Sequence, residues 1–549
     1  MKIKGSFLPI FTIVAGILFL VYLQAQIPKG VYFSGDAGLK SLLAQQLSTG
    51  QFRFDLLPPS ESWVQQLWSQ GLYPYEKPFF YDIDGLYYIT FPFSFPLITA
   101  PFYNLFGYRG LYIIPLLTTL GIWGLFYRVC LWLKFNSLIT SLALILLIFG
   151  SPLTVYSAMY WEHTLAVFLV FAGTFLPLII QNTSRFFNLL IIISGFLLGF
   201  SVWFRPECLS AVFLVLLLIY LPEIIKFIPP MKFINSLELN PFKLSITQKN
   251  IFLISTVSSV SLFFICNQLI YHHYLGIHGI QVIEKASLID RLKEATTNFK
   301  QLTQAFLQFF PITAFCSLII VQIILKKEKV SSDYLQVIIG LVCLLFIAGV
   351  SLMVPGGSAG LIPGGKQWGT RFLLNLIPLV SIWVIYQFNS SQTINNKILK
   401  TIYVSLFTFL LVICIYTNTY SATLYLKKAH TDVIPSLEFL SEDDRKIIMI
   451  SNQFVGQVLE PALKDKKIFL KANTEKDLKL LSAILLNKGY QEFIYICYSN
   501  RSCDLPNEST KNLSFQVNNK WFIIQFKFIN KFGKYPIYGV SLEKLSRQN

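Results

Sequence analysis

The sequence predicts an α-helical polytopic membrane protein with about 11 transmembrane helices and a small C-terminal α/β domain. Of the 549 residues, 54% are hydrophobic and only 13% are charged, too few charges to cover a soluble domain of this length. Apolar runs of about 20 residues, enough to cross a hydrocarbon core of roughly 30 Å, recur along the chain. After about residue 420 the composition changes, which predicts a second kind of domain.

The apolar runs define the predicted spans and their orientation. Lys2 and Lys4 precede the first run, which has no small-residue cleavage site, so we expect a retained helix and a cytoplasmic N-terminus. Lys and Arg concentrate in alternate breaks between runs, as the positive-inside rule requires, and an odd count leaves the C-terminal domain outside. The predicted spans are residues 7–26, 110–133, 138–156, 164–181, 188–204, 207–222, 251–271, 306–325, 334–354, 371–388 and 401–420.

The formal net charge of +17 does not indicate a nucleic-acid partner. The basic residues are scattered among short polar breaks and form no continuous patch, and membrane topology accounts for their positions. The sequence therefore predicts membrane lipids as surroundings and no nucleic-acid ligand.

Residues 27–107 form the first outer loop of the predicted transmembrane domain, residues 1–420. Within it, "GDAGLKSLLAQQLSTG" has leucines at helical spacing, with Ser34 as N-cap and Gly50 as stop. We expect this amphipathic helix to lie on the membrane surface with its leucines toward the lipid. The stretch 86–107 is apolar but interrupted by prolines, which predicts a broken interfacial or re-entrant segment.

Residues 421–549 predict the soluble α/β domain on the extracytoplasmic side. "KIIMIS", "KKIFLK", "EFIYIC" and "KWFIIQF" have the composition of strands, and "TEKDLKLLSAILLNKG" has helical periodicity. Cys497 and Cys503 are close enough in sequence for a disulfide in an oxidising compartment, and two free thiols remain the alternative.

Ionisable residues gather on the predicted outer face. Asp36 and Lys40 stand i,i+4 on the proposed surface helix, where a solvated ion pair is the plain interpretation and a base held at the membrane surface is the functional one. Ionisable groups at membrane depth are costly and indicate function by default, with anchoring at helix ends as the alternative. The other outer residues are Glu162 and His163 in "YWEHT", Arg205 and Glu207 in "WFRPEC", and Lys366 and Arg371 in "PGGSAGLIPGGKQWGTRFLL".

Carboxylates and cations at a membrane surface suit transfer of a group from a lipid phosphate. A carboxylate takes a proton from the acceptor hydroxyl, and cations hold the departing phosphate. His272 and His278 are weak metal-ligand candidates, because their spacing fits no metal motif and interfacial histidines are the simpler interpretation. The Gly-rich loop lacks the ending of a phosphate-binding P-loop and is interpreted as a flexible lid.

With these residues placed, the sequence resembles the GT-C superfamily of membrane glycosyltransferases, which includes the protein mannosyltransferases and the aminoarabinose transferase of lipid A. Asp36 matches an acidic residue that follows the first helix, and Glu162 in "WEHT" matches a second one. "GFLLGFSVWFRPE" (195–207) is similar to a common Gly-rich stretch that ends in Arg-Pro-Glu, and "WGTRFLLNLIP" (368–378) to a stretch before a late helix. Asp36 is followed by Ala37, whereas the mannosyltransferases carry two adjacent acids.

The resemblance implies a GT-C-like bundle in a bacterial plasma membrane and an inverting transfer of a sugar from a polyprenyl-phosphate donor. The acceptor, a lipid, glycan or protein, stays open. Asp36 would be the base, and Arg371, Arg205 and either Lys40 or Lys366 would bind the phosphate. Glu162 would orient the acceptor or support a cation, which leaves a divalent metal ion open as a cofactor.

Three other classes of protein stay open. One is a structural or scaffolding membrane protein, which would have no reason to gather charged pairs along the outer membrane edge. A secondary transporter would place ionisable residues near helix midpoints and show inverted repeats, and neither feature is present in the sequence. A polymerase or ligase of lipid-linked glycans has a similar helix count, but its large outer loop usually lies late in the chain.

Overall fold

The computed structural model separates into two compact units, each made from two segments of the chain. The helical unit comprises Met1–Gln26 and Tyr112–Leu424, and the α/β unit comprises Ile27–Leu111 and Tyr425–Asn549. The structure describes residues 7–180, 186–226, 244–283, 287–319, 331–354, 367–392, 396–498, 511–517 and 520–544.

The helical unit consists of apolar helices joined by short turns. Its 3-10 segments include Ser201–Trp203 and Arg371–Leu376, which precede two of the helices. Its helices are α1 (Phe7–Ala25), α5 (Ile113–Trp132), α6 (Ser137–Ile148), α7 (His163–Ile179), α8 (Phe187–Phe200), α9 (Cys208–Lys226), α10 (Ile246–Tyr271), α11 (Gly276–Ile283), α12 (Leu288–Phe309), α13 (Ser331–Met353), α14 (Ile377–Ser391) and α15 (Lys397–Ile415).

Length and composition qualify six of the described helical stretches to cross a membrane, and four shorter apolar helices accompany them. Six of the predicted spans overlap the long stretches, and four overlap the shorter helices, namely 138–156, 164–181, 188–204 and 207–222. The predicted span 306–325 overlaps neither group. It begins at the end of α12 and continues into a 3-10 segment (Pro311–Ser317), and residues 320–325 lie outside the described part of the chain. The count of 11 is therefore not confirmed.

Two glycines of the motif "GFLLGFSVWFRPE" let α8 approach α10 closely. A Cβ atom on Gly195 would lie 2.6 Å from the carbonyl oxygen of Phe252, and one on Gly199 would lie 2.5 Å from that of Thr256. Small residues four apart allow this backbone-to-backbone packing of membrane helices. Trp203 closes the contact by donating its indole N–H to the Ser259 carbonyl at 3.0 Å, so the glycines fix where the Arg-Pro-Glu end of the motif begins.

The α/β unit combines a six-stranded mixed sheet with helices from both ends of the chain. Strands β3, β4 and β5 are parallel, and β8, β7 and β6 extend the sheet antiparallel from β5, in the order β4-β3-β5-β8-β7-β6. The elements are α2 (Gly35–Ser48), α3 (Ser62–Ser69), β1 (Phe80–Ile83), β2 (Leu86–Ile89), α4 (Ser94–Phe106), α16 (Ala422–Thr431), which begins in the helical unit, α17 (Ile434–Glu442), β3 (Ile447–Ile450), α18 (Gln453–Leu463), β4 (Ile468–Lys471), α19 (Glu475–Asn487), β5 (Glu492–Ile496), β6 (Lys511–Val517), β7 (Lys520–Phe532) and β8 (Tyr535–Lys544).

The parallel part of the sheet forms because β3, α18, β4, α19 and β5 alternate along the chain. Strand β3 is buried along its whole length, as expected for a central strand with both faces covered. Ile448 and Ile450 of this strand join Leu459 and Val455 of α18 in the core of the unit. The four predicted strands are present, and the predicted helical stretch 474–489 contains α19.

One buried carboxyl on α18 titrates unusually. Glu460 accepts a hydrogen bond from the Tyr75 hydroxyl, and Lys464 follows it one turn later. Burial raises the pKa of Glu460 from 4.5 to about 7, and the Tyr75 hydrogen bond and the Lys464 charge offset only part of this rise. The folded chain therefore binds this proton more tightly than the unfolded chain does.

We predict that Glu460 makes the α/β unit less stable as the pH rises. Its contribution is fully present below pH 4.5 and is lost as the pH rises through about 7, a change of about 3 kcal/mol in the free energy of unfolding. In Glu460→Gln an acceptor oxygen remains for Tyr75 but nothing titrates. The midpoint temperature of this variant minus that of the wild type should increase as the pH rises from 4.5 to 8.

The control is Glu438→Gln, which removes an exposed carboxyl on α17. Its midpoint should follow that of the wild type across the same pH range. Parallel curves for wild type and Glu460→Gln would contradict the prediction.

Candidate functional site

Arg205 joins two buried carboxylates in the helical unit. Its Nη1 lies 3.1 Å from Oε1 of Glu162, and its Nε donates to Oε1 of Glu207 at 2.6 Å. Only 13% of the Arg205 side chain is exposed, and the two carboxylates are almost fully buried. Such hydrogen-bonded ion pairs are the arrangement in which buried charges are tolerated.

Both carboxylates stand at the N-terminal ends of helices. Glu162 directly precedes α7, and Glu207 directly precedes α9, where the partial positive charge of a helix favours an anion. A tight turn brings Arg205 beside them: its N–H bonds to the Ser201 carbonyl, and its own carbonyl accepts from Cys208. Pro206 lies within this turn, where a missing N–H is tolerated. The motif "RPE" therefore presents a cation and an anion from one short connection.

Arg371 lies against the same group of side chains through aromatic rings. Its Cζ is 5.1 Å from the ring centroid of Phe372 and 5.5 Å from that of Trp161. The Cζ of Arg205 lies 5.0 Å from the Phe372 ring as well. We call Glu162, Arg205, Glu207 and Arg371 the acid–arginine cluster. Both guanidinium groups therefore lie within cation–π distance of aromatic rings.

His163 packs among aromatic rings beside the acid–arginine cluster. Its ring centroid is 5.0 Å from that of Trp161 and 5.3 Å from that of Tyr156, and its Nδ1 is 4.0 Å from Oε1 of Glu162. The Tyr156 hydroxyl donates to the carbonyl of Trp368 at 2.6 Å. The motifs "YWEHT" and "WGTRFLL" are thereby joined, and four of the sequence-predicted residues lie in one place together with His163.

Sequence reasoning missed the residue that anchors Trp368. Asn418 accepts a hydrogen bond from the Trp368 indole N–H at 3.2 Å, and its amide nitrogen donates to the carbonyls of Gly150 and Phe309. It lies in a short π-helical segment, Tyr416–Ser421, and π-helical turns are frequent near functional sites. The available signal was a single amide side chain inside the apolar run 401–420.

Asp36 and Lys40 belong to the α/β unit, where both are buried on α2. The predicted N-cap is confirmed, since the Ser34 hydroxyl accepts from the N–H of Ala37, and the helix ends at Ser48, close to the predicted stop. The Nζ of Lys40 lies 4.5 Å from the ring centroid of Phe91, a cation–π contact. Asp36 is in the first turn, where the helix dipole favours its charge.

Helix α2 differs from the predicted amphipathic surface helix. Eleven of its 14 residues are buried, because α4 and α18 pack against it, and a helix covered on most sides cannot lie on a membrane through one face. The prolines of the stretch 86–107 likewise do not prevent helix α4, which contains Pro101. Charge and leucine spacing alone did not indicate that another part of the chain covers the polar face of α2.

The remaining predicted residues are not brought into this arrangement. Lys366 and the Gly-rich loop at 355–366 lie outside the described residues, as does the side chain of His278. His272 is exposed and ends α10 in a left-handed conformation. In the described part of the chain, no three His, Cys, Asp or Glu side chains are grouped to hold a metal ion. Cys497 is disulfide-bonded, and Cys503 lies outside the described residues.

The fold of this chain is similar to that of a solved structure over nearly its whole length. The chain is similar to ArnT from Cupriavidus metallidurans bound to undecaprenyl phosphate, with a TM-score of 0.51 and 9% identity over 96% of this chain and 97% of that chain. The Archaeoglobus fulgidus oligosaccharyltransferase in the apo form gives a TM-score of 0.49 and 11% identity over 89% of this chain and 70% of that chain. No protein-family model and no curated protein sequence matches.

We predict that Arg205→Met strongly destabilises the helical unit. Removing the guanidinium leaves two buried carboxylates without their shared cation, which costs about 3–5 kcal/mol when a buried pair is broken. The matched control is Lys479→Met, because Lys479 and Glu475 form an exposed i,i+4 pair at 2.7 Å worth at most about 0.5 kcal/mol. Thermal unfolding should show a large drop for the first variant and almost none for the second. Equal shifts would mean that the pairs around Arg205 contribute no more than a surface ion pair.

Proposed function

We propose that this protein is a glycosyltransferase that moves a sugar from a polyprenyl-phosphate donor to an acceptor hydroxyl at the extracytoplasmic face of a bacterial plasma membrane. The configuration at the anomeric carbon inverts, and Asp36 is the base. The acid–arginine cluster is the observation that carries the proposal. Four ionisable residues from three distant motifs meet at the N-terminal ends of α7 and α9, in contact with aromatic rings.

The fold supports the class of donor. ArnT, whose fold this chain shares over nearly its whole length, was solved bound to undecaprenyl phosphate. The helices long and apolar enough to cross a membrane suit a substrate whose lipid tail stays in the bilayer. Fold alone does not determine chemistry, so the roles below rest on the charges and surroundings of individual residues.

The reaction is a single displacement. The acceptor oxygen attacks the anomeric carbon as the bond from that carbon to the phosphate oxygen breaks, and the bonding electrons leave with polyprenyl phosphate. The carboxylate of Asp36 takes the proton of the acceptor hydroxyl. The leaving phosphate gains negative charge during this step, so a cation that holds it lowers the barrier.

Arg371 is the proposed phosphate ligand of the helical unit. The charge of Arg205 is already balanced by Glu162 and Glu207, so its part is to fix those carboxylates. Trp161 and Phe372 contact the guanidinium of Arg371, and the planar fork of a guanidinium matches two oxygens of a phosphate. Lys40 is a second candidate, because ring contact holds its ammonium in place.

The buried carboxylates have the remaining role. Glu162, ordered by Arg205 and near His163, orients the acceptor or supports a divalent cation, and Glu207 balances the Arg205 charge. Each assignment differs in its consequence: loss of the base abolishes turnover, whereas loss of the phosphate ligand weakens it and raises KM for the donor.

We predict that Asp36→Asn abolishes release of polyprenyl phosphate. The amide cannot take the acceptor proton, and general-base catalysis of this kind contributes roughly 10²–10⁴-fold to the rate. The measurement uses purified protein in lipid, a panel of polyprenyl-phosphate sugars and separation of the released lipid phosphate. The matched control is Asp84→Asn, an exposed carboxylate in the same N-terminal segment; asparagine suits its left-handed backbone.

Wild-type rates for both variants would contradict the role of Asp36. No release by folded wild-type protein with any donor would contradict the proposed function, and the glycan ligase and transporter interpretations would then take its place.

We predict that Arg371→Lys lowers kcat/KM for the donor roughly 10- to 100-fold, the effect of one or two hydrogen bonds to a charged group. Lysine carries the same charge but lacks the planar fork that stacks on rings and grips two oxygens. KM for the lipid-phosphate donor should rise more than KM for the acceptor. An equal effect on the two substrates would argue against phosphate binding by Arg371.

A further inference from the structure

Helix α2, which carries Asp36 and Lys40, meets α18 of the C-terminal segment without side chains between the two backbones. A Cβ atom on Gly38 would lie 1.8 Å from the carbonyl oxygen of Gln457, and one on Gly35 would lie 2.3 Å from its Oε1. Real Cβ atoms do not approach closer than 3.0 Å. Glycine is therefore required at position 38, where the obstacle is backbone, whereas at position 35 a side chain would have to move for the two helices to lie this close.

A proline in α18 explains why a backbone carbonyl is available at this contact. In an unbroken helix the Gln457 carbonyl would accept from the N–H of residue 461, but that residue is Pro461, which has none. The Cα–H side of Gly38 faces this oxygen instead, a weak Cα–H···O contact that recurs where helices approach closely. One turn further along α18, the carbonyl of Pro461 accepts a hydrogen bond from the side-chain amide of Gln45 at 3.1 Å.

The glycine contact and the ionisable residues occupy opposite sides of α2. At 3.6 residues per turn, the direction of Asp36 and Lys40 lies about 150° around the helix from that of Gly35 and Gly38. A displacement of α2 on α18 therefore moves the carboxylate and the ammonium together, along the direction in which they point.

The α18 side of the contact is itself held in place. The Gln457 amide donates to Oε1 of Gln453 at 3.2 Å, and the Gln453 amide donates to Oε1 of Glu76 at 3.2 Å. Lys471 of β4 pairs with the other oxygen of Glu76. The surface that α2 meets is thus connected by hydrogen bonds to the central sheet, so it does not move independently of the C-terminal fold.

We infer that α18 positions the base: the contact of Gly35 and Gly38 with Gln457 and Pro461 sets the place of Asp36 and Lys40 for the reaction. The C-terminal segment, in which no catalytic residue is assigned, then acts on turnover through α2. The inference rests on the proposed function, because it assigns positioning residues to that reaction.

Two glycine variants, each alone and combined with Gln457→Ala, separate positioning from folding. Gly35→Ala collides chiefly with the end of the Gln457 side chain, so Gln457→Ala in the same chain should relieve most of the collision. Gly38→Ala collides with a backbone oxygen, so the same second change should not. Gly124→Ala is the matched control, because it adds a methyl group to α5 where no atom lies within 4 Å.

The kinetic result expected is a loss of kcat for polyprenyl phosphate release of roughly 100-fold in Gly38→Ala, since a displacement of about 1 Å can cost that much. KM for the donor should change little. Gly35→Ala should lose less, and Gly35→Ala/Gln457→Ala should return to the rate of Gln457→Ala alone. Gly124→Ala should match the wild type. If Gln457→Ala rescues Gly35→Ala but not Gly38→Ala, the effect is one of positioning and not a general loss of stability.

Amide hydrogen exchange in lipid nanodiscs provides a readout that does not require activity. Gly38→Ala should raise exchange in α2, while the amides of β3 and β5 keep their protection. Unchanged exchange in α2, unchanged kcat in both glycine variants, or equal failure of rescue at the two positions would each overturn the inference. Absence of turnover in the wild type with α2 protected would instead be failure of the proposed function, and the two failures are thus distinguishable.

Discussion

The helical unit is organised by the need to neutralise two carboxylates that have no access to water. Glu162 and Glu207 begin two different helices, and one guanidinium must reach both. Because an unpaired buried charge costs several kcal/mol, the N-terminal ends of α7 and α9 are held within reach of the same guanidinium. Phe372 contacts the guanidinium groups of Arg205 and Arg371. The segment before α14 is therefore held beside the same two helix ends. The charged groups therefore fix the relative positions of these helix ends along the helix axes, which packing of apolar surfaces alone would not do.

The α/β unit follows a different constraint, because it draws its helices from two ends of the chain. Residues 27–111 supply α2 and α4, and residues 425–549 supply the six-stranded sheet and α18. The contact between α2 and α18 depends on the missing side chains of Gly35 and Gly38 and on the missing N–H of Pro461. None of these contributes energy by itself. Their effect is to let two backbones approach, after which Gln45 can bond across the contact. Gly35 and Gly38 in α2 and Pro461 in α18 are poor helix formers. Here the close packing of the two helices depends on them.

Much of the fold and part of the site could be predicted from the sequence. Apolar runs located six long helical stretches and four shorter helices, and β-like runs located four strands, because both signals are local. The hairpin β1–β2 was missed although "FYDIDGLYYI" contains Asp84-Gly85, a pair that favours the left-handed turn observed there. Strands β6 and β8 were also missed. The surface assignment of α2 failed because two helices outside the local pattern cover it, α4 and α18, the latter more than 400 residues away in sequence.

The same distinction between local and distant information explains the site. Each motif predicted ionisable residues one at a time, and the expectation that Glu162, Arg205, Glu207 and Arg371 belong together came from helix ends on one predicted face. What no local pattern could reveal is how the charges are paired. In the acid–arginine cluster, two carboxylates and two guanidinium groups sum to zero. Arg205 is shared between both carboxylates, whereas the contacts described for Arg371 are with aromatic rings. Pairing, a property of the folded chain alone, thus distinguishes the surroundings of two arginines that look equivalent in sequence.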